Sequence, residues 1–237
     1  AVFAGSAVGC RGRLRLTLLP LQYMQGWPAL ASRWLDRRSS MQVSISRDGQ
    51  IRCSVGQDYA SWRLPVGPQA WELEPGESAM WEIDIAPPPS IIVFGAGPEA
   101  TMLLPLLRSM GWMTTVVERR ERWLGVSGLA GCHLINSPAQ APPQDQTARP
   151  FAALVMHHNF ELDLEALLAL AEDPPPFIGL LGPRRRRDDL FKLMPESARE
   201  RLVPHLHSPV GMDLGGRGPE AIALSIAAQL QSRLHGR

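Results

Sequence analysis

The stretch IIVFGAGPEATMLLPLLRSMGWMTTVVE, from Ile91 to Glu118, constrains this chain more than any other. Ile91 to Phe94 is a short apolar run of the kind that forms a buried strand. Gly95-Ala96-Gly97 turns the chain, and the pattern predicts a helix from about Pro98 to Met110, stopped by Gly111. Met113 to Val117 then reads as a second strand ending in Glu118. The unit is a strand, turn, helix and strand carrying G-x-G-x-x-A, the dinucleotide-binding spacing with Ala100 in the third small position. Each residue type has a physical task there. Gly95 permits the tight turn, and Gly97 lets a pyrophosphate reach the backbone. Ala100 lets helix and strand pack closely, and the bare N–H groups at the helix start attract anions. Glu118, 21 positions after Gly97, stands where an acid would hydrogen-bond a ribose. A glycine turn that binds nothing is the competing reading, because a fold does not fix a function.

The rest of the chain falls on either side of this unit. Ala86-Pro87-Pro88-Pro89-Ser90 is stiff and marks a boundary, with residues 87–90 as linker. Residues 1–86 form a smaller, β-rich region: a strand over Arg13–Leu19, a helix over Trp27–Arg37, a hairpin of Met41–Ser46 and Gln50–Val55 around Asp48-Gly49, and a strand over Ala79–Ile85. Trp62, Trp71 and Trp81 read as packing residues. Residues 91–237 alternate strands and helices, with further strands at His133–Ile135, Phe151–Met156 and Phe177–Leu181. Helices are expected over Arg120–Leu124, Leu162–Glu172, Arg184–Met194 and Pro219–Leu234, and Ser137–Pro150 reads as a surface loop. The fold class is therefore α/β: a Rossmann-like open parallel sheet with helices on both faces.

Composition removes several function classes. A net charge of +1 implies no general attraction to nucleic acid or to a membrane surface, and no apolar run is long enough to span a bilayer. Cys10, Cys53 and Cys132 form no C-x-x-C pair, which argues against a zinc site or a disulfide framework and suits a reducing cytoplasm. The start, AVFAGSAVGC, lacks the basic region and apolar core of a lipoprotein signal, and a chain beginning at Ala1 reads as a fragment.

Ligands of open α/β sheets bind beyond the carboxyl ends of the strands, so three more stretches become candidates. Gly182-Pro183 followed by Arg184 to Arg187 opens a helix, where one or two arginines could hold a phosphate. His157-His158-Asn159 ends a strand at the same rim, its adjacent histidines diverging too far for a two-histidine metal site. Asp163 reads as the cap or first turn of the next helix. Ser208 to Glu220 carries Gly211, Gly215, Gly216 and Gly218 beside Asp213 and Arg217, a lining that allows close backbone approach. No Ser-His-Asp order, P-loop or G-x-S-x-G elbow nominates a nucleophile.

Five of these stretches, IIVFGAGPEA, VVERRE, LVMHHNFELD, FIGLLGPRRRR and HSPVGMDLGGRGPEAIALSIAAQL, occur in an order that resembles the XdhC/CoxI family of xanthine dehydrogenase accessory factors. Residues 91–237 look like its Rossmann domain, and Gly9-Cys10-Arg11-Gly12 with the following RLRLTLLPL looks like the tail of its N-terminal domain. The resemblance implies a carrier without turnover chemistry of its own. Such a carrier binds molybdenum cofactor (molybdopterin), protects it, favours its sulfurated form and inserts it into a xanthine-dehydrogenase-type molybdenum hydroxylase. It implies a cysteine desulfurase as second partner, with a homodimer as a further assembly. Together the residues and the resemblance give a cofactor-binding set of Gly95, Ala96, Gly97, Pro98, Glu118, Arg120, His158, Gly182, Arg184, Arg185, Gly211, Asp213 and Gly215, with Cys10 as a thiolate for molybdenum. The chain departs from the family at His157-His158-Asn159 (usually Thr-His-Asp), Gly182-Pro183-Arg184 (Gly-Ser-Arg), Glu118-Arg119-Arg120 (Asp-Asp-Arg) and Gln229 (Glu). The alternative is an NAD(P)-binding oxidoreductase using the glycine turn, with Glu118 favouring NAD.

Overall fold

A computed structural model describes residues 18–37, 39–46, 48–64, 80–125, 129, 133–135 and 150–236. The strand expected over Arg13–Leu19, the loop expected over Ser137–Pro150, Trp71, Cys10 and Cys132 lie wholly or mostly outside these residues. Two compact units emerge, one within Ala1–Arg33 and Met41–Ile85, the other within Trp34–Ser40 and Ala86–Arg237.

In the first unit, the part of helix α1 (Trp27–Arg37) up to Arg33 precedes strands β1 (Met41–Ser46), β2 (Gln50–Val55), β3 (Asp58–Arg63) and β4 (Met80–Ile85). They form an antiparallel sheet in the order β3-β2-β1-β4. Met41, Val43 and Ile45 alternate with polar neighbours, as do Ile51, Cys53 and Val55 opposite them, so one face is apolar and buried. Strand β3 is not in the sequence expectation; it returns from β2 through the turn at Gly56-Gln57. Its Trp62 stacks edge-on against Trp27 at 6.5 Å and donates its indole N–H to the Gln25 carbonyl at 2.9 Å.

The second unit is the Rossmann-like sheet. It runs β5 (Ser90–Phe94), α2 (Pro98–Ser109), β6 (Met113–Val117), α3 (Glu121–Leu124), β7 (His133–Ile135), β8 (Ala152–Val155), α4 (Phe160–Glu172), β9 (Phe177–Leu180), α5 (Arg184–Lys192), α6 (Glu196–Leu202), β10 (Leu206–His207) and α7 (Pro219–Leu234). The strands pair in parallel in the order β10-β9-β8-β5-β6-β7. The period-two rule divides the strand residues between two cores. Ile91 and Val93 face α2 and α7 with Leu103, Leu107, Ile226 and Leu230, while Ile92 and Phe94 face the other side with Leu167, Leu170, Leu190 and Leu202. Each such fully buried aliphatic side chain stabilises the fold by about 1.5–3 kcal/mol.

Two boundaries differ from expectation. The helix expected to reach Met194 ends at Lys192, because Pro195 cannot continue it, and α6 begins separately at Glu196. Helix α4 starts at Phe160, capped by Asn159, whose side-chain oxygen accepts the Leu162 N–H at 3.0 Å, so Asp163 lies in the first turn and is not the cap.

Gly179 shows how tightly β9 is held. A Cβ there would lie 2.5 Å from both Leu154 Cδ2 and Val210 Cγ2. Gly179→Ala is expected to lower unfolding stability by about 1–3 kcal/mol, read as a drop in urea midpoint, because the core must be overpacked to admit one methyl group.

Candidate functional site

The parallel arrangement brings every carboxyl end of the sheet to one rim, and the sequence-predicted residues fall along it in two groups. The first surrounds the glycine turn. Gly95 has φ +103°, and its N–H donates to the Val117 carbonyl at 3.0 Å while Phe94 O accepts the Met156 N–H at 2.8 Å. The turn is therefore tied to strands on both sides. A Cβ on Gly95 would stand 2.6 Å from the His157 backbone, so glycine is required by close approach as well as by dihedral angle.

Glu118 is fully buried, and its carboxylate is turned inward. One oxygen accepts the Ala96 N–H at 2.8 Å and Arg120 Nη2 at 2.6 Å; the other accepts Arg120 N and Nε, both at 2.8 Å. Arg120 also donates from Nη1 to the His157 carbonyl at 2.8 Å, linking the ends of β6 and β8 across the turn. Burial pushes the Glu118 pKa up, but the hydrogen bonds from Arg120 and Ala96 and the Arg120 charge outweigh it and hold the carboxyl at about 2. Both oxygens at the predicted ribose position are thus engaged by the chain itself.

The histidines diverge, as their adjacency on a strand end requires. His157 is buried, and both its N–H and Nδ1 meet Asp163 Oδ1, at 3.1 and 3.2 Å. Asp163 is fully buried, and its other oxygen accepts Arg186 Nη2 at 2.5 Å and Nε at 3.2 Å. His158 turns the other way with φ +57°, and its Nε2 lies 3.1 Å from Glu99 Oε2. Among the described residues no group of three or more His, Cys, Asp or Glu could hold a metal ion.

The second group lies where β9 and β10 end. Gly182, Asp213 and Gly215 line one cavity of about 330 Å³ together with Leu181, Val210 and Met212, while Gly211, between Val210 and Met212, is not part of its lining. Its wall is fastened to α7. Gly211 N–H donates to Gln229 Oε1 at 2.7 Å, Met212 N–H to the Ser225 carbonyl at 3.2 Å, and Ser225 Oγ to the Met212 carbonyl at 2.5 Å. A Cβ on Gly211 would collide with Ser225 Oγ, whereas one on Gly215 would meet nothing within 4 Å. Gly211 is thus glycine for packing, while Gly215 has open space on the side where a Cβ would stand and gives its N–H to Asp213 Oδ1 at 3.4 Å. Arg184 and Arg185, expected as phosphate ligands, are exposed at the start of α5 and do not line the cavity; Arg185 lies 3.8 Å from Asp189.

Sequence reasoning placed the glycines at the rim and Asp163 at the start of its helix, but missed Glu99 and the tertiary partners of both acids. His158 stands 59 positions from Glu99 and Arg186 stands 23 from Asp163, so no local pattern joins these pairs. An acid in the first turn of a helix is a signal for the dipole, and that much was readable for both.

The sheet order and the glycine turn after β5 define a Rossmann-type domain. The XdhC Rossmann domain family matches residues 91–230, and the chain belongs to that family. It is 31% identical over 148 residues to a Bacillus subtilis (strain 168) protein named as a probable xanthine dehydrogenase subunit, covering 62% of this chain and 43% of that one. It is 39% identical over 70 residues to the uncharacterized protein YqeB of Escherichia coli (strain K12), covering 29% of this chain and 13% of that one. The chain therefore spans less than half the length of these curated relatives. A crystal structure from Bacillus halodurans, described as a xanthine dehydrogenase, superposes with a TM-score of 0.67 at 26% identity over 90% of this chain and 67% of that one. No helix among the described residues is long and apolar enough to cross a membrane.

Proposed function

We propose that this chain binds molybdenum cofactor along the carboxyl rim of its Rossmann domain and serves a xanthine-dehydrogenase-type molybdenum hydroxylase as an accessory protein. The observation that carries this reading is the cavity of about 330 Å³, within the size range of small-molecule sites, with apolar side chains in its wall and open space beside Gly215. A flat pterin fits apolar walls such as Leu181, Val210 and Met212, with open space beside Gly215 for the rest of the ligand. The glycine turn, two strands away and so roughly 10 Å along the rim, forms the other end of the same ledge. In this reading Gly182, Asp213 and Gly215 hold the ligand, Gly211 fixes their loop to α7, Gly95 to Pro98 and His158 wall it, and the exposed Arg184 and Arg185 meet its charged end or the partner enzyme.

Family membership supports a role connected with xanthine dehydrogenase, and the names of the Bacillus subtilis and Bacillus halodurans relatives point the same way. The cofactor supplies the hydroxylation centre of the target enzyme. This chain's part is to hold it, exclude water and release it, with a cysteine desulfurase supplying sulfur and a homodimer as the carrying species. The NAD(P) alternative loses support at Glu118, whose engaged oxygens leave the adenosine ribose without its acceptor.

Gly215→Val tests the cavity. A branched side chain at φ +73° directed into the open space is expected to reduce retention of molybdopterin at least about tenfold, beyond the loss of about 1–2 kcal/mol in stability that the strained dihedral brings and that Gly215→Ala, compared alongside, largely shares. Equal retention by variant and parent would remove the cavity from the site.

A further inference from the structure

The glycine turn offers a phosphate far less than its sequence promises. Gly95 N–H is given to Val117 O, Ala96 N–H to Glu118, and Ala100 and Thr101 N–H to Gly97 O. Pro98 has no N–H at all. Among the described residues, that leaves Gly97 and Glu99 as the donors at the start of α2 still free for a ligand. A carboxylate already stands beside them. Glu99, in the first turn of α2, has a side chain only 12% exposed, and its Oε2 would lie 3.3 Å from a Cβ built on Gly97. His158 holds it there through Nε2 at 3.1 Å, from a backbone with φ +57°, a conformation uncommon outside glycine. His158 Cδ2 closes the same opening, 3.4 Å from that Gly97 position.

We infer that Glu99 decides what this turn admits: its carboxylate takes the place of a phosphate at the start of α2 and closes the turn to the pyrophosphate of a dinucleotide. The physical reasons act together. The positive end of the helix is already answered by a negative charge, and a second anion would meet like charge in a partly desolvated site. A ligand presenting a hydrogen-bond donor, such as the amino edge of a heterocycle, is attracted by the same carboxylate. The exclusion of pyrophosphate stands apart from whatever ligand the rim cavity takes, so it goes beyond the molybdopterin reading.

Calorimetric titration with ADP and NADH tests it, on the parent chain and on Glu99→Ala and Glu99→Gln. The parent is expected to show no saturation at millimolar nucleotide. Glu99→Ala, which removes both the charge and the obstruction, is expected to bind ADP at least about tenfold more tightly than the parent. Glu99→Gln keeps the shape and folding contacts while removing the charge, and is expected to gain a smaller factor of the same sign. Micromolar binding of either nucleotide by the parent would overturn the inference. So would an absence of gain in Glu99→Ala, or in Glu99→Gln should the alanine variant fail to fold.

Discussion

Arg120→Ala is expected to cost about 3–5 kcal/mol of unfolding stability at neutral pH, because it strips the counter-charge from a carboxylate with no exposed surface. Arg120 donates two side-chain hydrogen bonds to Glu118 and one to the His157 carbonyl, and only the Ala96 and residue-120 main-chain N–H groups would remain on the acid. Lysine at this position cannot fork, so Arg120→Lys should recover only part of the loss. The pH dependence identifies the cause. Glu118 is depressed from an ordinary 4.5 to about 2, so its ion pair stabilises the fold fully above the unfolded value and loses that contribution as pH falls from about 4.5 toward 2. The gap between parent and Arg120→Ala should therefore be widest near pH 7 and shrink below about pH 4. Urea unfolding at a series of pH values measures this directly; a gap unchanged down to about pH 3 would show that Arg120 acts by packing alone.

The second large effect is expected at Gly95. Alanine there must adopt φ +103° and place its methyl carbon 2.6 Å from the His157 Cα and N. Backbone cannot swing aside as the end of a side chain can, so β5 or β8 has to shift and the bonds Gly95 N–H to Val117 O and Met156 N–H to Phe94 O weaken with it. A loss of about 3–5 kcal/mol follows from strain and overpacking together. Gly111→Ala makes the comparison informative: its φ is +84°, yet a Cβ there would meet nothing within 4 Å, so only the conformational cost of about 1 kcal/mol applies. Similar urea midpoints for the two variants would mean that dihedral strain, and not the close approach of β8, makes glycine necessary at Gly95.

Much of the sheet was legible because its strands are buried on both faces. Ile91 to Phe94 and Phe177 to Leu180 are unbroken runs of apolar residues and glycine between turn residues, and helix α7 advertises itself through Ile222, Ile226 and Leu230. What escaped notice was short or half-exposed. Strand β10 has two residues, too few for any period, and β3 alternates exposed with half-buried positions. The glycines of the rim were readable from spacing, and the structure gathers Gly182, Asp213 and Gly215 around one cavity, with Gly211 packed against Ser225 behind it. The electrostatics were not readable. Four consecutive arginines suggested a phosphate cradle, yet Arg186 turns inward to Asp163 and Arg187 pairs with Asp188, contacts that follow from helix direction and tertiary packing. Glu118 occupies the expected place in the chain, but Arg120, two residues on, folds back and claims its carboxylate.

The central question is what the rim holds in the native protein. Chain purified from a host able to make molybdenum cofactor, then denatured, oxidised and subjected to mass spectrometry, is expected to release a pterin derivative of molybdopterin in an amount comparable to the protein. Release of NAD or NADP in that amount, or of no pterin in the presence of abundant cofactor, would contradict the assignment.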